Sequence, residues 1–286
     1  MDLDHPVVSF LSDYGTQDEF VGVCHAVIAR RCPRARVIDI THSVPPQDLV
    51  AGARILRDCV RFLPSGVLLA IVDPGVGAVG AERRRAVAIQ VSEPHILLVG
   101  PDNGLLMPAA RALGGASRAV DIGSSPERLQ PVSKSFHGRD IFAPVAAALA
   151  AGGHLPDVGA PIDPSKLTDL KLPEAEVRGQ AIATHVLGVD RFGNVLLDAR
   201  ARQLEQISAR LGAKVRIEPR EEWESASAGE MATAVAVCAS TFADVPRGAL
   251  LLYEDSRGML ALAIREGSAA ASLEIARGDE LTISLL

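Results

Sequence analysis

Aromatic side chains are scarce in this sequence: Phe, Tyr and Trp make up 3% of its 286 residues. Val, Ile, Leu and Ala take their place, the palette of buried parallel strands covered by helices. An excess of basic charge is also missing. Lys and Arg number 29 against 35 Asp and Glu, for a net charge of −6 and a pI near 5.7. That balance argues against broad nucleic-acid or anionic-membrane binding, so neither partner is expected. No apolar run approaches the roughly 20 residues of a membrane span. The opening "MDLDHPVV" has no basic segment followed by an apolar one, so no signal peptide is expected and a soluble cytoplasmic protein is. Cysteine is sparse: Cys24, Cys32, Cys59 and Cys238 show neither a CxxC pair nor zinc-type spacing. Cys24 and Cys59 fall in apolar helical patterns, where free cysteine behaves as a small hydrophobe.

What is present is a chain that is 48% hydrophobic, long enough to bury a full core and to form two domains. Its first part alternates strand and helix patterns. "VVSFLSD" (7–13) reads as a strand ending in an aspartate. "TQDE" then has the capping-box form, Thr16 with Glu19 three later, followed by helical periodicity from Phe20 to Ile28. "RVIDI" (36–40) is a strand and "DLVAGARILRDCVRFL" (48–63) a helix stopped by Pro64. "GVLLAIVDPGVG" (66–77), "AVAIQV" (86–91) and "HILLVGPDNG" (95–104) follow, and "GRDIFAPVAAALAAG" (138–152) reads as a helix. The pattern strand, aspartate, glycine occurs three times, at Asp13, Asp73 and Asp102. In an open α/β sheet ligands bind beyond the carboxyl ends of strands, so these carboxylates could converge on one crevice.

"PIDPSKLTDLKLP" (161–173) is proline-punctuated and polar, a linker pattern. Beyond it come short β-like runs: "GQAIATHVLGVD", "GNVLLD", "AKVRIEP", "TAVAVC", "GALLLYED", "MLALAIR" and "DELTISLL". Among them only "ARQLEQISARLG" (201–212) is helical in character. The expected fold is an α/β N-terminal domain, residues 1–168, with a mainly parallel sheet flanked by helices. A smaller all-β, barrel-like domain follows over residues 169–286.

Single motifs leave their chemistry open. "DPGVG" (73–77) has the glycine spacing of a phosphate cradle. No GK[ST] follows and the full GxGxxG is absent, so it is neither a Walker nor a Rossmann fingerprint. Its glycines suit close approach of backbone to a ligand, though an ordinary Asp-Pro-Gly turn reads the same. "AERRRAV" (81–87) places three arginines at a strand entrance, and one could turn inward toward Asp73. "GVDRFGN" (188–194) offers an acid, an aromatic and an amide in a turn. "YEDSRG" (253–258) offers Ser256 and Arg257, a pairing suited to an α-carboxylate. In "KSFHGRDIF" (134–142) His137 stands at the mouth of a helix, where a lone histidine is ordinarily structural.

Taken in order, "LSDYGTQDEFVG", "DITHSVPPQDLVAGARIL", "VDPGVG", "PDNGLL", "FHGRDIFAPVAA", "VDRFGNVLLD", "TFADV" and "SRGMLALAIREGSAA" resemble the adenosine-forming S-adenosyl-L-methionine hydrolases. These are the SAM hydroxide adenosyltransferases, relatives of the bacterial fluorinase and chlorinase. The resemblance implies an α/β domain followed by a barrel-like domain, assembly as a homotrimer, and a ligand held between the first domain of one subunit and the second of its neighbour. It implies cleavage of S-adenosyl-L-methionine at C5′ to L-methionine and adenosine, with no cofactor beyond the substrate. The catalytic Asp, Arg and His carry over as Asp73, Arg84 and His137. A few extra residues, "AVGAE", precede the arginines, so Arg83 and Arg85 stay open beside Arg84. Asp13 matches the aspartate on the ribose hydroxyls. Asp190 and Ser256, with Arg257 beside them, match the methionine-end contacts. Asn194 and Phe192 match further contacts, and Phe242 matches an aromatic that packs on adenine. Arg265 stands where the family usually has asparagine, and there the adenine-edge contact would fall to the backbone.

The chemistry suits these residue types. A sulfonium leaves as a neutral thioether and needs no general acid, so what remains is to place a water in line with the C5′–S bond and raise its nucleophilicity. Asp73 or His137 would take the proton and the arginine would stabilise developing hydroxide character. No metal is required. His25, His42, His95, His154 and His185 are scattered without ligand spacing and read as structural or surface residues. One rival is a halogenase, but a carboxylate at Asp73 would repel a halide. The fluorinase has tyrosine at that position and serine at the position of Gly138, and the halogenase insertion is missing, since Val91 runs almost directly into His95. Another rival is a non-catalytic sensor, which would not need the Asp, Arg and His set.

Overall fold

The computed structural model describes residues 6–80, 83–92, 96–219 and 233–286. They divide into two compact units, Met1–Leu172 and Pro173–Leu286. Unit 1 runs β1 (Val7–Ser12), α1 (Phe20–Arg31), β2 (Arg36–Thr41), α2 (Leu49–Cys59), β3 (Gly66–Ile71), β4 (Ala86–Val91), β5 (Ile96–Pro101), α3 (Met107–Ala112), β6 (Ala116–Asp121), α4 (Ala143–Ala150) and β7 (Ala160–Ile162).

The seven strands form one sheet in the order β2-β1-β3-β5-β4-β6-β7. β1 is parallel to β2 and β3, and β3 to β5, whereas β4 is antiparallel to both β5 and β6, and β7 to β6. Five strands therefore point one way, a mainly parallel sheet. β3 is buried along all six residues, as expected of a strand covered on both faces. Alternation then sorts its side chains. Val67, Leu69 and Ile71 join one apolar layer with Cys24 and Ile28 of α1 and Ala146 and Leu149 of α4. Leu68 and Ala70 join the opposite layer with Ala53 and Leu56 of α2 and Ala109 of α3.

Several elements differ from the sequence pattern. α1 begins at Phe20 with Glu19 as its cap and no side-chain cap hydrogen bond. Residues 16–19 are exposed bends with no packing to hold another turn, so the Thr16–Glu19 box does not form. α2 is capped as its sequence suggests, Asp48 accepting from the Ala51 N–H. The helix expected over 138–152 opens instead with a wide π-type turn, Gly138–Phe142, in which the Ala143 N–H reaches the Gly138 carbonyl. Pro144 explains it. Without an N–H it cannot bond the Asp140 carbonyl four residues back, and that oxygen instead accepts from the Leu129 N–H at 2.8 Å. The 161–173 segment is not a free linker: it contributes β7 to the sheet edge and is strapped down by Arg85 on the Lys166 carbonyl and Arg111 on the Leu170 carbonyl.

Unit 2 runs β8 (Glu176–Arg178), β9 (Ala181–Val189), β10 (Val195–Leu197), α5 (Ala201–Gln206), β11 (Lys214–Pro219), β12 (Ala234–Cys238), β13 (Leu250–Glu254), β14 (Leu260–Ile264), α6 (Ala269–Leu273) and β15 (Glu280–Leu285). The order β10-β14-β13-β12-β11-β15-β9 closes when β9 also pairs with β10, giving a seven-stranded barrel with β8 appended to β9. Closure removes the exposed strand edges that an open sheet would present. β9 alternates strictly between buried and partly exposed positions, its inward residues Ile182 and Val186 meeting Leu262, Val215 and Ile283 in the barrel core. The seven β-like runs of the sequence correspond to β9 through β15. The helix expected over 201–212 is shorter, since Ser208 takes a left-handed φ of 60° that ends it.

Candidate active site

β3 delivers Asp73 two residues beyond its carboxyl end. The turn that follows is closed by the Val76 N–H on the Asp73 carbonyl and the Ala78 N–H on the Gly75 carbonyl, both at 3.2 Å. Gly77 has φ +76°, and a Cβ there would lie 2.2 Å from the Lys134 carbonyl oxygen. Only glycine lets this turn press against the segment that carries His137.

Arg84, at the entrance to β4, grips Asp73 with both arms of its fork: Nε donates to Oδ1 at 2.9 Å and Nη2 to Oδ2. Nη2 also lies 2.9 Å from His137 Nδ1, and the guanidinium rests over the Phe142 ring, 5.2 Å from its centroid. The Asp73 and Arg84 side chains keep 6% and 11% of their exposure, so the pair is largely removed from water and held in a bidentate geometry. Of the three neighbouring arginines, Arg84 is the one that meets both Asp73 and His137. Arg85 turns to Asp102, Nε to Oδ2 at 2.7 Å, and Arg83 reaches toward Asp121 and Gly123. Asp102 therefore does not converge with the other strand-end carboxylates. Its second oxygen accepts from the Thr168 N–H at 2.8 Å, anchoring the 160s segment.

Arginine only donates, so His137 Nδ1 must accept from Arg84, and the neutral imidazole carries its proton on Nε2. Burial, then the Arg84 charge, lower the His137 pKa below its ordinary value, outweighing Asp73, Asp140 and the Ser133 backbone. The shift favours the neutral ring. A cavity of about 170 Å3 opens beside it, lined by Gly75, Gly77, Arg84 and Ile141 among others. Protonation would set imidazolium against guanidinium and break the contact. Activity that depends on the cluster is thus expected to fall as pH drops through the lowered His137 pKa, below the usual imidazole range, with the limb absent in His137→Gln. A kcat/KM profile with its acid limb at or above pH ~6.5 would contradict this.

Asp13 follows β1 on the strand next to β3. Its Oδ2 accepts from the Gln47 N–H at 2.8 Å, and burial, with the charge of Asp73 adding, raises its pKa despite that bond. Gln47 holds a left-handed φ of 65° to make the contact, a strain ordinary turns avoid. Tyr14, next in sequence to Asp13, packs with Phe20 and Phe136, ring centroids 5.7 and 5.8 Å away. Burial, then Cys24, Asp73 and Asp13, push its phenol well above the ordinary range. A Cβ on Gly138 would lie 2.2 Å from Tyr14 Oη. Neither Tyr14 nor Gln47 has a sequence signal of its own.

In unit 2, Asp190 organises the β9–β10 turn. Oδ1 accepts from the Phe192 and Asn194 N–H groups at 2.8 and 3.0 Å, and Oδ2 from Asn194 Nδ2 at 2.8 Å. Phe192 projects outward, 72% exposed. Ser256 and Arg257 lie in the β13–β14 turn, where Arg257 is paired through Nε and Nη2 with Asp255, so its charge has a partner within the turn. Burial, then the charges of Asp255 and Asp190, raise the Tyr253 pKa. Phe242 packs on Tyr253 with centroids 5.0 Å apart. Arg265 Nη1 donates to the Val245 carbonyl at 2.8 Å, and its backbone N–H and C=O bond Ala249 and Gly248. Arg265 thus braces the turn bearing Phe242. Of the remaining histidines, His185 is pinned to Asp198, Nδ1 to Oδ2 at 2.6 Å, His95 lies outside the described residues, and His25 and His42 converge on Asp39.

Unit 1 is thus an α/β unit with a desolvated Asp–Arg–His cluster at its strand ends, and unit 2 is a closed barrel whose turns present carboxylates and aromatics. Sequence profiles of one family match both units: the SAM hydroxide adenosyltransferase N-terminal domain over residues 8–159 and the C-terminal domain over 184–282. The chain belongs to the SAM hydroxide adenosyltransferase family. It is 44% identical over 280 residues, 98% of each chain, to an (R)-S-adenosyl-L-methionine hydrolase of Salinispora arenicola. Its identity is 37% to one of Thermus thermophilus, over 95% of this chain and 96% of that one. A fluorinase of Nocardia brasiliensis is a more distant relative, at 27% over 98% and 97% of the two chains. Among solved structures, an uncharacterized conserved protein from Thermotoga maritima superposes with a TM-score of 0.85 at 34% identity, covering 97% of this chain and 99% of the other.

Proposed function

We propose that this protein hydrolyses S-adenosyl-L-methionine, with the R configuration at sulfur named for its relatives, to adenosine and L-methionine. The observation that carries the reading is Arg84 bridging Asp73 and His137 in a water-poor pocket at the strand ends. Water oxygen attacks C5′ in line with the C5′–S bond, whose electrons leave on sulfur as a neutral thioether, and the water proton passes to protein. His137 already accepts from Arg84 at Nδ1 and presents Nε2–H, so it orients the water as a donor. Asp73, whose oxygens each keep a second lone pair, takes the proton. Arg84 stabilises the developing hydroxide. Asp13 holds the ribose hydroxyls. Asp190 and Ser256 hold the methionine end, with Phe192, Asn194 and Phe242 covering the ligand. Arg257 and Arg265 support the turns that carry these contacts. The reaction requires no metal and no separate cofactor, and a cytoplasmic setting supplies its substrate.

Halide transfer fits less well, because Asp73 would repel the anion and Tyr14 Oη occupies the space a side chain at position 138 would need. A passive sensor has no use for the desolvated cluster.

We further place the site between unit 1 of one subunit and unit 2 of its neighbour in a homotrimer. Mixing two inactive variants tests this. Asp73→Asn damages unit 1 and Asp190→Ala unit 2. Random trimers would contain sites with both halves intact, restoring about a quarter of wild-type activity. No recovery after subunit exchange would contradict the shared site.

A further inference from the structure

We propose that His25, Asp39 and His42 form a binding site for a divalent metal of the zinc type, separate from the Asp73–Arg84–His137 cluster. His25 comes from α1, Asp39 from β2 and His42 from the turn after β2. Nε2 of His25 lies 2.9 Å and Nε2 of His42 3.0 Å from the same oxygen, Asp39 Oδ1. One donor atom from each residue falls within 4.8 Å of the other two. Two imidazole nitrogens and one carboxylate oxygen, with water in the fourth position, are a donor set that suits zinc.

His42 supplies the second observation. Its side chain is 4% exposed, and its Nε2 makes no hydrogen bond among the described residues. The distance to Asp39 suits a hydrogen bond but the direction does not. The other ring nitrogen, Nδ1, lies 2.7 Å from the buried Ser12 Oγ. With Nδ1–H donating to Ser12, Nε2 turns its lone pair toward Asp39, the tautomer that a metal-binding histidine takes when a second group holds its far side. Without a cation between them, that lone pair faces a carboxylate. Phe10 packs edge-on against the His42 ring, centroids 4.6 Å apart, and fixes its plane. His25 and Asp39 remain 35% and 41% exposed, which leaves solvent a route to the open position.

The location gives the ion a consequence. The His42 carbonyl accepts from the Gly15 N–H at 2.8 Å, and Ser12 Oγ accepts from the Tyr14 N–H at 3.3 Å. Both contacts flank Asp13, so an ion fixing His42 would clamp that turn.

The test uses the full chain, treated with a chelator and titrated with Zn2+ against a competing chromophoric chelator. A Co2+ absorption spectrum and the Tm serve as further readouts. One ion per chain, tetrahedral Co2+ bands and a Tm that rises with Zn2+ are expected. Ser12→Ala should weaken affinity about 10-fold, and His25→Ala and Asp39→Asn by more than about 100-fold, because outer partners cost less than ligands. His25 stands on the surface, so its variant should keep the wild-type circular dichroism. Absence of 1:1 binding would overturn the proposal. So would unchanged affinity in both His25→Ala and Asp39→Asn, which would put the ion elsewhere.

Discussion

Asp73→Asn is expected to lower kcat by about 10²–10⁴ while leaving KM within a few-fold, the usual range for losing a positioned proton acceptor. Asparagine keeps the size of aspartate and can still accept from one arm of Arg84, so a binding or folding defect is not expected. The contrast is Asp13→Ala, whose carboxylate faces the ribose hydroxyls in the proposed complex and accepts from Gln47. Losing hydrogen bonds to a charged group costs about 1.5–3 kcal/mol, so that variant should raise KM at least about ten-fold with a smaller change in kcat. Initial rates of adenosine release against substrate concentration separate the two. Equal rises in KM for both variants would show that Asp73 binds rather than reacts.

Gly138→Ala should cost more than its single methyl suggests, because the new Cβ would stand 2.2 Å from Tyr14 Oη and 3.2 Å from the Phe136 ring. Tyr14 cannot retreat easily, since Phe20 and Phe136 box its ring. Overpacking of this kind typically costs about 1–3 kcal/mol. Here the displaced groups also lie beside His137, so turnover should fall with stability. Tyr14→Phe removes the offending oxygen and should recover much of the loss in the double variant, a coupling that a cycle of Tm and kcat measurements would detect. Strict additivity of the two changes would show that the methyl is absorbed elsewhere.

The strands were legible where burial writes a continuous or alternating apolar pattern, as in β3 and β9, and the seven barrel runs follow from that rule. Helix beginnings were less legible. The Thr16–Glu19 box has the right letters but no packed face to hold its turn, and Pro144 opens the turn behind His137 through a missing N–H that periodicity does not register. At the site, three adjacent arginines leave the side-chain directions undetermined until β4 is placed. The structure then sends Arg84 to Asp73 and Arg85 to Asp102. Asp102 looked like a third site carboxylate because strand, aspartate and glycine recur, yet its oxygens are spent on Arg85 and Thr168. His25, Asp39 and His42 converge only because α1 packs beside β2, a neighbourhood no short spacing records.

The proposed reaction turns on attack of water at C5′. Incubating the protein with (R)-S-adenosyl-L-methionine in 18O-labelled water with excess chloride, then weighing the products by mass spectrometry, tests it directly. Adenosine carrying 18O at the 5′ oxygen, with unlabelled methionine in equal amount, is the expected result. A 5′-chloro nucleoside, or intact substrate recovered from a protein that binds it, would contradict it.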